Sequence, residues 1–494
     1  MRILYYNWVD YQDRQGRGGG VSIYLKALMD GLGSESAIAP VFLASGLAHD
    51  LRPAAPRWQR MGGKGRAACC YEIVNARPIA PAHAQFASAE QITHAPTEAV
   101  FFDFITRTGP YDVIHFHNLE GLPASVLALR ERWPQTRVVL SLHNYYPFCP
   151  QVNLWQNEAR HCDDFLEGRA CATCLPLRAN PGAVRLSYAL ERRLTRLGMG
   201  PGTAFFDRGF RPALRQGWAG LRRLLGRHRA GTRTPGGAAA PATAETARQA
   251  HALGARRHLM SALINRHCDA VLCVSDRVRQ LAGAHGIHDA LLHTSYIGTH
   301  QAAKWHQTAP RPAFLGADGT LRLAYLGYMR ADKGFFFLLD ALEALPPTMA
   351  RRLHLTIAAR RGDGTAMARL EALRSRLASL RHLDGYNHAG LDALLGDIDM
   401  GLVPVLWEDN LPQVAIEMHA RHIPLLCSDR GGARELGNCP ALTFRAGDTA
   451  DFTRALAAVL DGQLRPADYW QSARTPMDMP THLRHLQDLY TRCA

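Results

Sequence analysis

Short apolar runs separated by helix-length amphipathic stretches recur along the whole chain. In the second half, runs at 321–328, 353–359, 400–405, 424–428 and 441–444 read as strands, and 335–345, 365–379, 412–420 and 449–461 between them read as helices. The first half repeats the rhythm, with predicted strands at 2–8, 40–45, 111–118, 137–144 and 269–275 and predicted helices at 21–32, 121–132, 183–197 and 248–267. Runs that are apolar throughout, rather than alternating, fit strands covered on both faces. Strands alternating with helices imply parallel, doubly wound sheets. The expected architecture is therefore α/β, with two Rossmann-like domains at 1–290 and 291–479, joined near 291–318. The last segment, 480–494, contains PTHLRHLQDLYTR, which reads as an amphipathic helix. Ligands of such sheets bind beyond the C-terminal strand ends, so two facing sheets form a cleft.

Composition narrows the picture. A chain of 494 residues with 47% apolar side chains has room for two large cores. The formal net charge of +14 points to an anionic partner. MRILYYNW opens directly on a strand pattern, without a leader or cleavage site. No run reaches the ~20 apolar residues that span a bilayer, so a cytoplasmic protein is expected. Eleven cysteines, an odd number, argue against a disulfide framework.

The chemistry concentrates in 404–436, PVLWEDNLPQVAIEMHARHIPLLCSDRGGAREL. Glu408 and Asp409 open a turn through Asn410, Leu411 and Pro412. A helical run carrying Glu417 follows, then an apolar strand and the Gly431-Gly432 turn. Carboxylates grip polyol hydroxyls, and free N–H groups at a helix start hold phosphate. That combination describes a nucleotide-sugar. A second glycine run, Gly18–Gly20, lies between the first strand and its helix and lets backbone approach a ligand. No Gly-Lys-Ser/Thr follows it, and it is not a GxGxxG with a ribose acid, so a Walker ATPase and a dehydrogenase are disfavoured.

The 404–436 segment resembles the donor-binding signature of the retaining glycosyltransferases of family 4, which have the GT-B fold, and that resemblance implies that the last helix, 480–494, crosses back to the first domain. The family pattern is Glu, seven residues, Glu, then a Gly-Gly turn. Asp409 stands for the first Glu, or Glu408 one place earlier, and Glu417 matches the ribose-binding second Glu. The resemblance implies further site residues. Gly19 and Gly20 match the loop near the donor phosphates. His117 matches the second His of a His-x-His, and His143 the histidine that contacts the donor sugar, here followed by Asn144 where the family has Asp. Ser275 matches a strand-end turn and also reads as a helix cap. In GYMRADKG, Lys333 matches the diphosphate-binding lysine. Tyr328 occupies the usual arginine position, so Arg330 is expected to reach in instead. Asn410 and Leu411 complete the donor-side set. The implied activity is metal-independent transfer of a sugar from a nucleotide-diphosphate donor, with retention, to a glycan or lipid-linked acceptor in cell-surface polysaccharide synthesis. The rival expectation is a non-catalytic GT-B-like scaffold at a membrane surface.

Two features lie outside these motifs. Cys149, Cys162, Cys171 and Cys174 share one loop-rich stretch (149–174), and the C-x2-C pair within it fits a structural zinc, a disulfide pair or independent thiols. The insertion at 175–247 is basic: between 181 and 233, twelve arginines stand against two acids. GWAGLRRLLGRHR within it places Trp218, Leu221 and Leu225 on one face, a pattern suited to an anionic bilayer and less to nucleic acid.

Overall fold

The computed structural model describes residues 1–13, 15–32, 38–62, 69–85, 89–174, 180–214 and 244–492. The amphipathic stretch around Trp218, and the Gly/Pro/Ala-rich run after it, lie outside the described residues.

Two sheets carry the chain. The first comprises β1 (Arg2–Asn7), β2 (Ala39–Ala48), β3 (Arg57–Arg60), β4 (Cys70–Val74), β5 (Val113–Phe116), β6 (Arg137–Leu142), β9 (Ala270–Cys273) and β10 (Leu292–Thr294). Their order is β10-β9-β6-β5-β1-β2-β4-β3, parallel except where β3 meets β4. The short pair β7 (Trp155–Gln156) and β8 (Arg160–His161) stands apart in the cysteine-rich loop. The second sheet holds β11 (Leu321–Gly327), β12 (Leu353–Ala359), β13 (Ser379–Asp384), β14 (Met400–Val403), β15 (Leu425–Ser428) and β16 (Thr443–Phe444). Their order is β13-β12-β11-β14-β15-β16, all parallel.

The apolar runs become the buried centres of these sheets. Ile3 to Tyr6 and Leu321 to Leu326 are almost wholly inside, apart from Arg322. Both sheets are therefore α/β layers, and each reverses strand order next to its first strand, at β1/β5 and at β11/β14. Beyond such switch points the loops diverge and leave a crevice. The sequence pattern does not announce β3, β4, β10 or β13. β13, SLRHLD, is an edge strand whose polar positions stay partly exposed, so it lacks the apolar signature. The predicted helix 365–379 ends at Arg374, just before it.

Several contacts join the halves near this crevice. Ser275 Oγ donates to the Asn410 carbonyl at 2.8 Å. Glu435 accepts from the N–H groups of Asp276 and Arg277, which start the helix Asp276–Ala284. The last helix, Met479–Arg492, returns to the first half and packs on the helix Gly19–Gly31, where Gly31 lies against Leu483 and Met479.

Candidate functional site

A cleft of about 810 Å3 runs between the C-terminal ends of the two sheets. That volume suits a small-molecule site, which spans roughly 300–1,000 Å3. The first sheet contributes the loop after β1, the start of the helix Gly19–Gly31, and His143 just past β6. Gly19 adopts φ of 53°, and a Cβ on Gly20 would crowd the Gln413 side chain at 3.3 Å, so bare backbone lines this wall. The first turn of this 13-residue helix directs its dipole towards the cleft.

The second sheet supplies the opposite wall. Lys333 sits on the loop after β11, which turns through Gly334 at φ of 71° because a side chain there would overlap the Pro404 carbonyl. Its Nζ donates to Asp409 Oδ2 at 2.6 Å and lies 4.9 Å above the Trp407 ring. An ammonium has three N–H donors, so this pairing leaves capacity for a second anion. Glu417 is buried on the short helix Gln413–His419. Tyr386 Oη donates to its Oε2 at 3.1 Å, and His388 Nε2 lies 2.9 Å from its Oε1. This bond and the glutamate's charge raise the His388 pKa above its ordinary value. Burial lowers the His143 pKa to about 4, so that ring is neutral at pH 7.

Of the residues singled out from the sequence, Gly19, Gly20, His143, Lys333, Asp409, Asn410, Leu411 and Glu417 line this one cleft. Four others do not. Glu408 is 0% exposed and turns away from the cleft, pairing with Arg277 at 2.5 Å and Arg430 at 3.1 Å and accepting from the Gly431 N–H. The chain turns tightly here, with the Asp409 N–H bonded to the Trp407 carbonyl at 2.8 Å, so that Asp409 lines the cleft while Glu408 faces the junction. Ser275 spends its hydroxyl on the Val278 N–H and the Asn410 carbonyl. Arg330 is folded back on Asp332 at 2.9 Å, a pairing within its own loop, and stays largely exposed. His117 is fully buried behind His143, with its Nδ1 3.1 Å from His143 Nε2.

The cysteine cluster lies apart from this cleft. Cys149, Cys162, Cys171 and Cys174 converge on one small cavity beside Arg257. Yet among the described residues no group of three or more His, Cys, Asp or Glu side chains is placed to hold a metal ion. Burial raises the Cys162 thiol to about 11 and the Cys171 thiol to about 12. Cys174 instead donates to Gln151 Oε1 and accepts from the Asn157 N–H.

Sequence reasoning missed Arg360, Tyr386, Asn387 and His388, which line the far end of the cleft. They follow β12 and β13; without β13 in the pattern, nothing marked its loop as a strand-end loop. It also missed Glu120, a fully buried carboxylate of the first half. Burial raises its pKa, while the Ala82 N–H and the amides of Asn144 and Asn118 bond to it. The sequence HNLE places it three residues past His117, and that proximity was the available signal.

Residues 320–462, which carry the second sheet, match the family model described as Glycosyl transferases group 1. No curated protein matches the chain. Among solved structures, sucrose-phosphate synthase from Thermosynechococcus elongatus is similar at TM-score 0.54 and 13% identity, covering 99% of this chain and 98% of that one. Anabaena HepE in complex with UDP is similar at TM-score 0.54 and 13% identity over 100% of both chains. The N-terminal domain of Candida albicans trehalose-6-phosphate phosphatase is similar at TM-score 0.55 and 10% identity, covering 99% and 97%. These likenesses give the chain the GT-B fold, and residues 320–462 are similar to the group 1 glycosyltransferase domain.

Proposed function

We propose that the protein transfers a sugar from a nucleotide-diphosphate donor to a glycan or lipid-linked acceptor, with retention of configuration. The observation that carries this reading is the meeting of Lys333, Asp409 and Glu417 with the glycine-lined helix start and His143 in one crevice. In this reading the donor diphosphate lies between Lys333 and the start of the helix Gly19–Gly31. Its ribose exchanges with Tyr386 and His388 for the oxygens of Glu417. The hexose sits by Asp409, Asn410 and His143. The bond from the anomeric carbon to the diphosphate oxygen breaks, a bond from the acceptor hydroxyl oxygen forms on the same face, and the acceptor proton passes to the departing diphosphate. Charge growing on that diphosphate is met by the Lys333 ammonium and the helix dipole, which are already oriented before the bond breaks.

Thermal-shift screening of the full chain against UDP-, GDP- and ADP-sugars, followed by product analysis, tests this reading. UDP-glucose comes first because a structure similar in fold, Anabaena HepE, holds it. A donor at a hundred times its Kd stabilises the fold by about 2.7 kcal/mol. No shift with any nucleotide-sugar, or an equal shift in Lys333→Ala and Glu417→Ala, sinks it and leaves the scaffold alternative. The proposed setting is the inner face of an anionic membrane, reached through the basic insertion. None of the described helices is long and apolar enough to cross a membrane. Salt-sensitive co-sedimentation with anionic vesicles, lost on deleting 205–230, tests that part.

A further inference from the structure

His117 and His143 each lie one residue past a strand of the first sheet, and their rings stack at 5.3 Å between centroids. The 3.1 Å approach of His117 Nδ1 to His143 Nε2 is a hydrogen bond only if one nitrogen carries the shared proton. Burial keeps both imidazoles neutral at pH 7, so each ring has a single N–H.

Two arrangements satisfy that contact. If His143 Nε2 donates, His117 must keep its own proton on Nε2. That nitrogen is buried and has no hydrogen-bond partner among the described residues. An orphaned buried N–H is among the rarest features of native proteins, and a bare acceptor is tolerated better. If His117 Nδ1 donates, only a ring lone pair is stranded. His143 then accepts at Nε2 and carries its proton on Nδ1, which makes no hydrogen bond among the described residues. Which nitrogen of a histidine is protonated is set by the bond the other one makes.

We propose that His117 is a positioning residue that fixes His143 in the Nδ1–H tautomer, so that His143 meets the donor sugar as a hydrogen-bond donor. The clause about the sugar rests on the transferase reading; the tautomer does not. The rest of the cluster holds His117 in place. His115 lies 4.0 Å from it, ring to ring, and is itself clamped by Tyr490 Oη at 2.6 Å on Nδ1 and Ser141 Oγ at 2.8 Å on Nε2. Tyr24 contacts both the His117 and His143 rings, and its hydroxyl lies 2.8 Å from His482 Nε2. Tyr490 and His482 both belong to the last helix, so the chain's end braces the wall of the cleft.

The test uses full-length protein labelled with 15N-histidine. Two-bond 1H–15N correlation spectra report the tautomer of each ring, and His143→Gln identifies the His143 signals. The expected result is an Nδ1–H ring at His143. It reverts in His117→Leu to the Nε2–H form that an unconstrained histidine side chain prefers, and it is retained in His117→Asn, whose amide N–H replaces the Nδ1 donor. An Nε2–H ring at His143 in the parent protein, or a tautomer unmoved in His117→Leu, overturns the assignment. For the sugar contact, kcat/KM for the donor falls about tenfold in His117→Leu, the worth of one hydrogen bond, and recovers in His117→Asn. An unchanged kcat/KM alongside a reverted tautomer overturns the sugar contact alone. Absence of turnover in every variant condemns the transferase reading while the spectra still decide the tautomer.

Discussion

Replacing Glu408 with Gln removes the charge that ties the two halves together. The carboxylate is fully buried and meets Arg277 at 2.5 Å, Arg430 at 3.1 Å and the Gly431 N–H at 2.9 Å. Burial by itself would raise its pKa; the Arg277 bond and charge, with the Gly431 N–H, outweigh that and bring it from 4.5 down to about 2. A depression of that size corresponds to about 3 kcal/mol of stability at pH 7. It agrees with the roughly 3–5 kcal/mol typical of breaking a buried pair from one side. At about 2.1 cal/mol/K per residue, over 494 residues, the loss appears as a Tm about 3 °C lower. Because the folded pKa is depressed, the contribution is complete above pH 4.5 and fades as pH falls towards 2. Differential scanning calorimetry of parent and Glu408→Gln from pH 7 to pH 3 therefore shows two Tm curves that converge on acidification. Curves that coincide at pH 7, or a gap that widens as pH falls, would refute the reasoning.

Lys333→Ala removes the cation facing the departing diphosphate and lowers kcat by about 100-fold or more, read in a donor-saturated transfer assay. Glu417→Gln releases His388, whose pKa then falls back; in the parent protein the His388–Glu417 contribution is complete below about pH 6.5 and lost as pH rises through the elevated value, which histidine NMR titration follows. Gly431→Ala forces a side chain onto a backbone at φ of 71° and against the Asp409 carbonyl, costing about 1–3 kcal/mol and weakening donor binding together, as unfolding and calorimetric titration will show. Among the thiols, Cys69, pulled below its ordinary value by its bond with Cys70, alkylates at pH 7.5 well before Cys162 and Cys171, as peptide mapping after brief iodoacetamide treatment resolves.

The hydrophobic pattern by itself determined most of the two parallel sheets, because buried parallel strands must be apolar on both faces and say so residue by residue. It also placed Gly19, Lys333 and Asp409 at strand ends, where such sheets open their crevices. β13 and the residues after it, Tyr386 and His388, were hidden because an edge strand with exposed polar positions carries no such mark. Only the tertiary structure decided between Glu408 and Asp409. The two acids are adjacent, a turn sends them in opposite directions, and the partners that make the inward one tolerable, Arg277 and Arg430, come from distant segments. The same holds for His117 and for the four cysteines. A side chain's type is written in the chain, but the direction it points and the charges it meets are set by packing between elements far apart in sequence.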